Sequence, residues 1–240
     1  MKSTGIPLVM LLDIEGTTTP ISFVYETLFP YARTHLKQFL EEHACDEGLQ
    51  RDMDELIQEN RLEKSSGVPL MSENGSFSQV YEYLIWLMNE DRKSPALKSI
   101  QGKIWEAGYA SGQLKSIIFS DVPKAFERWH NEGRRIAIYS SGSMLAQRLL
   151  FQHGEFDDLT RWIDVYFDTT IGAKIEATSY RRIGLALGVD PGEILFLSDS
   201  PLELDAAAVA GLDVRLTVRP GNRPMPGSVR HLVVSSFDEL

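Results

Sequence analysis

Four short apolar runs, each followed by a polar or glycine-containing turn, constrain the fold of this chain more than any other feature. They are PLVMLL (residues 7–12), RRIAIYS (134–140), WIDVYF (162–167) and EILFLS (193–198). Strands that are apolar on both faces are typical of parallel sheets covered by helices. Helical patterns lie between the later runs, so the sequence predicts an α/β fold with a doubly wound parallel sheet.

Local signals predict further elements of this sheet. A helix before the second run begins at Asp121, which we expect to be its N-cap, and ends before Gly133. Another helix, TSYRRIGLALG, ends at Gly188. Late strands are predicted at residues 214–218 and 231–236.

Residues 20–120 break the alternation of strands and helices, because they read as consecutive helices. One of these helices begins with Ser94 and Pro95, an N-cap and first-turn pair. We therefore expect an α/β core of residues 1–19 and 121–240, with residues 20–120 forming a helical cap inserted after the first strand. An insertion at that point would lie over the C-terminal edge of the sheet, where α/β folds bind their ligands.

The composition argues against several classes of protein. With 24 basic and 34 acidic side chains the formal net charge is −10, which disfavours binding to nucleic acid or an anionic membrane. Cys45 is the only cysteine, so no intrachain disulfide is possible, and we expect this small side chain to be buried. The opening residues lack the pattern of a cleavable leader, and no apolar stretch approaches the roughly 18 residues of a membrane span. We therefore expect a cytoplasmic protein. No exposed apolar patch can be read from the sequence, so we expect the protein to be a monomer.

Two acidic residues, Asp13 and Glu15, stand where the first apolar run ends, beside Gly16 and three threonines. Two neighbouring carboxylates can take different catalytic roles. One acts as an ionised nucleophile, and the other, with a raised pKa, acts as proton donor and acceptor. Acids and threonines near strand ends also cap turns, so this pair by itself leaves a structural role open.

Two further strand ends carry hydroxyl and ammonium groups. Ser140 and Ser141 precede Gly142 at a strand-to-helix junction, where hydroxyls and free N–H groups suit a phosphate. Serines at such junctions are also common N-caps. Lys174 lies in the turn after the third run, where it is either a solvated surface charge or a group that neutralises phosphate.

Asp199 follows the fourth run, with Glu203 and Asp205 beyond it. Mg²⁺ takes one or two protein carboxylates together with substrate phosphate and waters, and Asp13 with Asp199 would provide that pair. We expect Asp205 to be a first-turn helix acid favoured by the helix dipole. Because every candidate group follows an apolar strand, all of them would converge on one edge of one sheet.

This ordered set resembles the motifs of the haloacid dehalogenase superfamily of aspartate-nucleophile phosphatases. The first motif of that family has Asp, any residue, Asp, Gly and Thr, whereas this chain has DIEGT, with Glu15 in place of the second Asp. The longer stretch DIEGTTTPISFV resembles one branch of the superfamily, the enolase-phosphatases of methionine salvage. The similarity continues through NEDRKSPALKSIQGKIW, IYSSGSMLAQRLLF, FDTTIGAKIEATSYRRI, ILFLSD and VRPGN, so it touches most of the chain.

The resemblance implies a metal site and a pair of catalytic carboxylates. Asp13 would be the nucleophile and a Mg²⁺ ligand. Glu15 would bind the metal through its backbone carbonyl while its side chain serves as general acid and base. Asp199 would complete the site, with one Mg²⁺ per subunit.

The resemblance also implies the substrate and the groups that bind it. Ser140, Ser141 and Lys174 would hold the substrate phosphate, Lys174 would also contact Asp13, and Glu203 would act only through its neighbours. The implied substrate is 5-methylthio-2,3-dioxopentyl phosphate. Enolisation and then dephosphorylation through an aspartyl phosphate would convert it to the acireductone 1,2-dihydroxy-3-keto-5-methylthiopentene.

Three other functions stay open on the sequence. A Mg²⁺-dependent aspartate-nucleophile phosphatase could act on another small phosphate monoester with no enolase step. A phospho-accepting receiver also combines acids, a hydroxyl, a lysine and Mg²⁺, but it has its phosphorylated aspartate on a later strand and lacks such a helical insertion. A phosphate-binding protein without activity is disfavoured by the intact set of acids, serines and lysine.

Overall fold

A computed structural model of the chain describes residues 6–72, 75–222, 224 and 230–240. Residues 1–5, part of the segment in which the sequence predicts no cleavable leader, lie outside the described residues. Within the described ranges, no helix is both long enough and apolar enough to cross a membrane.

The chain forms two compact units. One lies within Met1–Tyr25 and Lys115–Leu240, and the other is Glu26–Leu114. In the part of the first unit that the structure describes, six parallel strands form one sheet in the order β3-β2-β1-β4-β5-β6. Their bounds are β1 (Val9–Leu12), β2 (Arg135–Tyr139), β3 (Val165–Phe167), β4 (Ile194–Ser198), β5 (Asp213–Thr217) and β6 (Val233–Val234). This arrangement confirms the predicted doubly wound parallel sheet.

The chain reverses its direction across the sheet at β1. Met10 of β1 aligns with Ile136 of β2 on one side and with Leu195 of β4 on the other. The chain runs outward from β1 through β2 to β3, and then returns to β4 on the opposite side of β1. In open α/β sheets, the carboxyl ends of the strands at such a switch point form the ligand crevice.

The second unit consists of the inserted helices, as the fold class predicts. They are α1 (Phe29–Glu42), which follows a π-helical turn at Phe23–Leu28, α2 (Glu47–Leu62), α3 (Phe77–Asn89) and α4 (Pro95–Ala110). α2 and α4 are joined by Asp52, which accepts hydrogen bonds from Lys103 Nζ at 2.7 Å and Ser99 Oγ at 3.0 Å. Ser94 Oγ accepts a hydrogen bond from the backbone N–H of Leu97 at 3.2 Å, which confirms the predicted N-cap of α4.

Helices cover both faces of the sheet. α5 (Val122–Asn131) and α6 (Met144–Gln152) precede β2 and β3, whereas α7 (Ala177–Leu187) and α8 (Pro201–Ala210) precede β4 and β5. The two pairs cross the sheet in opposite directions, so right-handed crossovers place them on opposite faces.

Successive side chains of β1 point to opposite faces of the sheet, so this strand contributes to the apolar core on both faces. Val9 and Leu11 belong to the same apolar cluster as Tyr180 of α7 and Leu204 of α8. The intervening Met10 and Leu12 are also fully buried, and the pleat of the strand directs them to the α5–α6 face.

Two local expectations differ from the structure. The third strand begins at Val165 rather than residue 162, because Leu159–Trp162 forms a 3-10 helical turn. Cys45 is exposed, not buried, because it lies in the surface turn between α1 and α2.

Asp121 stands at the N-cap position of α5, but its side chain does not cap the helix. Its Oδ2 instead accepts hydrogen bonds from Arg219 at 2.7 Å and from the backbone N–H of Phe237 at 2.6 Å. Arg219 is only 6% exposed, and its guanidinium lies between the rings of Phe119 and Phe237. Leaving this buried cation unpaired would cost more than a lost helix cap, which explains why the carboxylate faces the arginine.

We predict that Asp121→Ala lowers the free energy of unfolding by about 3–5 kcal/mol, because Arg219 would remain buried without its counter-charge. Urea denaturation at pH 7 measures this loss. Asp157→Ala is the control, since Asp157 is 87% exposed and lies 3.8 Å from Arg161, so its loss should not measurably move the midpoint. Equal effects of the two substitutions would contradict the role given to Asp121.

Candidate active site

Asp13 lies directly after β1 with its carboxylate almost completely buried. Its backbone N–H donates to Leu197 O at 3.0 Å, so pairing with β4 extends one residue past the strand. Its Oδ1 accepts hydrogen bonds from the N–H of Ile14 at 2.8 Å and from Lys174 Nζ at 2.5 Å. Its Oδ2 accepts one from Ser198 Oγ at 3.0 Å. Donors from three parts of the chain therefore fix the orientation of this carboxylate.

Lys174, in the turn before α7, is only 9% exposed and bridges two acids. Its Nζ lies 2.5 Å from Asp13 Oδ1 and 2.7 Å from Glu203 Oε2. Burial by itself would lower the pKa of Lys174, but the carboxylates of Asp13, Glu203 and Glu15 raise it above its usual value. The ammonium group of Lys174 is therefore held between buried acids and is not the solvated surface charge that the sequence left open.

Glu203, in the first turn of α8, is the second acid of this bridge. Burial, together with the nearby charge of Asp13, raises the pKa of Glu203 to about 7 against the opposing effects of Lys174 and Ser198. Ser198 Oγ lies 3.0 Å from both Glu203 Oε2 and Asp13 Oδ2. A hydroxyl has one proton to donate, so Ser198 donates to one of the two carboxylates at a time, while its oxygen accepts a hydrogen bond from the backbone N–H of Ser200 at 3.1 Å.

The turn after Asp13 brings Glu15 and Asp199 to the same place. Gly16 has a φ of 67°, and a Cβ at that position would lie 2.5 Å from Asp199 Oδ2 and 2.8 Å from Asn222 Oδ1. Asn222 Nδ2 also donates to the carbonyl of Gly16 at 3.0 Å. Glycine is thus required here both by the backbone conformation and by the close approach of Asp199.

The three threonines that follow are buried and hold this turn together. The backbone N–H groups of Thr17, Thr18 and Thr19 all donate to the carbonyl of Ile14, at 2.9–3.1 Å. Thr18 Oγ1 also donates to the carbonyl of Asp13 at 3.2 Å. The capping role that the sequence left open is seen for Thr18. The hydroxyl of Thr17 instead contacts Thr217 Oγ1 at 2.9 Å, and that of Thr19 donates to the carbonyl of Ile117.

The two serines that follow β2 lie in different environments, since one is buried and the other lines a cavity. Ser140 is 1% exposed, and its Oγ accepts a hydrogen bond from the N–H of Gly142 at 3.1 Å. Ser141 lines the cavity described below. The N-cap of α6 is a third serine, Ser143, whose Oγ accepts from the N–H of Ala146 at 3.3 Å. The helix therefore does not need Ser140 or Ser141 as its cap.

A cavity of about 740 Å³ opens at this edge of the sheet. Its lining includes polar side chains that the sequence singled out, namely Asp13, Glu15, Ser141, Lys174, Asp199, Glu203 and Asp205, together with apolar residues such as Ile21, Tyr25 and Leu216. Asp205 lies in the second turn of α8 and not the first, and its Oδ1 lies 2.9 Å from His231 Nε2. It is therefore part of the cavity wall, contrary to the expectation of a first-turn helix acid.

The oxygen atoms at this edge suit a hard divalent cation. Asp13 and Asp199 follow the adjacent strands β1 and β4, and Glu15 lies in the turn that packs against Asp199. Among the described residues, no three His, Cys, Asp or Glu side chains cluster as a complete metal cage. Mg²⁺ needs no such cage, because it commonly takes one or two carboxylates and fills its remaining positions with substrate oxygens and waters. The donor set therefore fits Mg²⁺.

Sequence reasoning did not single out Ser198, nor Arg230 and His231 of the cavity lining, and it gave Glu203 only a supporting role. Ser198 is fully buried, yet its hydroxyl contacts both carboxylates. The available signal was a polar residue at the end of the otherwise apolar run EILFLS. A buried strand position with a hydroxyl requires a hydrogen-bond partner.

Residues 8–211 match the family model described as haloacid dehalogenase-like hydrolase. The chain is 48% identical over 231 residues to the enolase-phosphatase E1 of Synechococcus elongatus, covering 96% of both chains. It is 42% identical over 240 residues to an Arabidopsis thaliana protein named probable bifunctional methylthioribulose-1-phosphate dehydratase/enolase-phosphatase E1, of which it covers 47%. The crystal structure of the UTR4 protein of Saccharomyces cerevisiae superposes with a TM-score of 0.81 at 37% identity, covering 98% of this chain and 100% of that one.

We predict that Gly16→Ala weakens Mg²⁺ binding roughly tenfold, because the added methyl group would displace Asp199. Isothermal titration calorimetry measures the affinity. Gly133→Ala is the matched control: Gly133 also has a positive φ, 76°, but nothing lies within 4 Å of a Cβ there.

Both substitutions should cost roughly 1–2 kcal/mol of stability through backbone strain, and only Gly16→Ala should alter the metal affinity. Equal Mg²⁺ affinities in the two variants would show that this turn does not position a metal ligand.

Proposed function

The chain belongs to the haloacid dehalogenase-like hydrolases and, within them, to the enolase-phosphatases, and from this we propose its substrate and the role of each site residue. The proposed reaction converts 5-methylthio-2,3-dioxopentyl phosphate to the acireductone 1,2-dihydroxy-3-keto-5-methylthiopentene and phosphate. The observation that carries the proposal is the buried contact of Asp13 with Lys174 at 2.5 Å, at the floor of a cavity lined by the other acids.

The proposed substrate follows from the two enzymatic activities that the plant relative's name combines. That protein is named for a methylthioribulose-1-phosphate dehydratase and an enolase-phosphatase in one chain. Loss of water from a ketose phosphate, followed by ketonisation of the resulting enol, gives a vicinal diketone beside the phosphate-bearing carbon. An enolase-phosphatase would take such a diketone phosphate as its substrate, which places the proposed reaction in methionine salvage.

In the proposed phosphatase step, Asp13 attacks the phosphorus atom in line with the departing enol oxygen. The bond from phosphorus to that oxygen breaks, an aspartyl phosphate forms, and Glu15 donates a proton to the leaving oxygen. Glu15 then removes a proton from water, which hydrolyses the aspartyl phosphate and restores Asp13. The hydrogen bonds from Ile14 and Ser198 support this role, since they fix the orientation of the Asp13 carboxylate before attack.

Lys174 and the serines are proposed to bind the phosphate. The lysine lies against Asp13, so its charge offsets repulsion between the carboxylate and an incoming dianion. Ser141 lines the cavity, and Ser140 precedes it directly after β2. When bound by Asp13, Asp199 and the backbone carbonyl of Glu15, Mg²⁺ would neutralise phosphate charge and stabilise the charge that develops in both steps.

In the enolase step, a general base takes the proton from the phosphate-bearing carbon, and the electron pair that is left behind places negative charge on the adjacent carbonyl oxygen. The second carbonyl makes that proton more acidic by delocalising the charge. Lys174, whose positive charge is fixed by its acidic neighbours, is suited to stabilise the enolate.

Three further features are part of the same proposal. One Mg²⁺ is bound per subunit, and the protein works as a monomer in the cytoplasm. Residues 20–120 serve as the cap domain that this family inserts after the first strand.

The test of this function is an anaerobic assay of the protein with Mg²⁺ and the diketone phosphate, in which enol absorbance and released phosphate are recorded together. We expect absorbance to rise ahead of, or together with, one equivalent of phosphate. Phosphate release without an enol signal would leave a simple phosphatase. The absence of both signals would contradict the proposal.

We predict that Asp13→Asn lowers phosphate release by at least roughly three orders of magnitude, because the amide is a poor nucleophile. Glu15→Gln should retain the first half of the reaction to a greater extent and accumulate the aspartyl phosphate, detected by mass spectrometry after an acid quench. Full phosphate release by Asp13→Asn would rule out the covalent mechanism.

We also predict that Glu203→Gln lowers kcat/KM roughly tenfold, because Lys174 would lose one of its two anionic partners. Glu132→Gln is the control, since Glu132 lies at the end of α5 and pairs with Arg134 at 2.8 Å. Steady-state kinetics of phosphate release measure both variants. A Glu203→Gln enzyme with the kinetics of the control would show that this acid does not act through the lysine.

A further inference from the structure

The loop that carries Lys174 is held by side-chain donors at four consecutive backbone carbonyls. The hydrogen bonds are Arg182 to Ile171 O (2.9 Å), Tyr139 to Gly172 O (2.8 Å), Ser179 to Ala173 O (2.7 Å) and Tyr180 to Lys174 O (2.6 Å). Three of these donors belong to α7, and Tyr139 ends β2. The backbone from Ile171 to Lys174 is thus bound to helix α7 and to strand β2.

Two tyrosine rings form the buried part of this attachment. Tyr139 and Tyr180 are fully buried and meet edge to face, with ring centroids 5.6 Å apart and an interplanar angle of 82°. Burial, with a smaller effect of Glu203, raises the pKa of Tyr180 above its usual value, so its hydroxyl keeps its proton and remains a donor.

Gly172 is part of the same attachment. Its φ of 144° is a conformation that favours glycine, and a Cβ there would collide with Ser179. The loop therefore packs against the first turn of α7 as closely as a backbone can. Its carbonyl oxygens are bonded to side chains of α7 and β2.

The hydrogen bond from Tyr180 is the one made to the catalytic loop residue itself. Lysine has a flexible four-carbon side chain, yet Lys174 Nζ must reach Asp13 Oδ1 and Glu203 Oε2 at the same time. The reach of the ammonium group therefore depends on where the backbone of Lys174 is held. A displacement of about 1 Å at a catalytic group can reduce the rate roughly 100-fold.

We propose that Tyr180 is a positioning residue for Lys174: its hydroxyl fixes the main-chain carbonyl of Lys174 and thereby the contact of the ammonium group with Asp13 and the substrate phosphate. This inference rests on the proposed function, because it takes Lys174 to be the phosphate-binding lysine. Tyr180 touches neither nucleophile nor phosphate and acts entirely through the loop.

Loss of a buried hydroxyl can disturb the fold without any effect on Lys174, so the test compares two buried tyrosine hydroxyls, of which only that of Tyr180 bonds to the carbonyl of Lys174. Tyr180→Phe removes the bond to Lys174 O and leaves the ring in place. Tyr166→Phe is the matched control, because the Tyr166 hydroxyl is also buried and has no hydrogen-bond partner in the structure. Both variants are measured for affinity to inorganic phosphate with Mg²⁺ by calorimetry, and for kcat with the diketone phosphate.

We expect Tyr180→Phe to weaken phosphate binding and to lower kcat, each roughly tenfold, while Tyr166→Phe changes neither by more than about twofold. Tyr180→Phe in a Lys174→Gln background should weaken phosphate binding no further, since the group it positions is already absent. Equal phosphate affinities in Tyr180→Phe and Tyr166→Phe would overturn the proposal, and so would an undiminished effect of Tyr180→Phe in the Lys174→Gln background. If the Lys174→Gln protein does not fold, the comparison of the two single variants decides.

The phosphate measurement separates this proposal from the proposed function. A wild-type protein that binds phosphate but does not turn over the diketone phosphate would refute the substrate, and the affinities of the two variants would still decide the role of Tyr180. A wild-type protein that binds no phosphate would overturn both.

Discussion

Lys174 forms a buried bridge between Asp13 and Glu203 that holds together the charged groups of the site. Removing one lysine and two carboxylates from water is costly, and close contact repays that cost only if all three groups meet. They come from the end of β1, the turn before α7 and the first turn of α8. The three groups therefore meet only in the folded chain, and loss of Lys174 would leave two buried carboxylates without their shared counter-charge.

The topology of the sheet makes this meeting possible. β1 pairs with both β2 and β4, so the residues that follow β1 and β4 flank the switch point. Gly16 then lets the turn after Asp13 approach Asp199, and Ser198 connects Asp13 to Glu203 from β4. β1 and β3 are apolar and β4 is apolar up to Ser198, so the polar groups of the site lie at the strand ends, in the turns after them and at the start of α8, where they face a cavity.

Much of this could be predicted from the sequence, because strand composition and motif order are local properties. The doubly wound sheet with inserted helices is confirmed, and so is the resemblance to the haloacid dehalogenase-like hydrolases and enolase-phosphatases. The prediction that Asp121 is the N-cap residue of α5 is confirmed for its position but wrong for its side chain, because the pattern DVP does not reveal that Arg219, far along the chain, needs a counter-charge. The prediction that Cys45 is buried was wrong, since residue type alone does not show that the side chain lies in a surface turn.

By itself, the sequence determined the fold class and the set of chemical groups at the strand ends, because hydrophobic periodicity and short motifs are written in neighbouring residues. Only the tertiary structure decided how those groups are paired. It gave Lys174 two anionic partners, placed Ser198 between two carboxylates, and tied the carbonyl of Lys174 to Tyr180. Pairing of this kind depends on distances between residues far apart in the chain, which are fixed by the crossing and packing of whole elements and leave no local signature in the sequence.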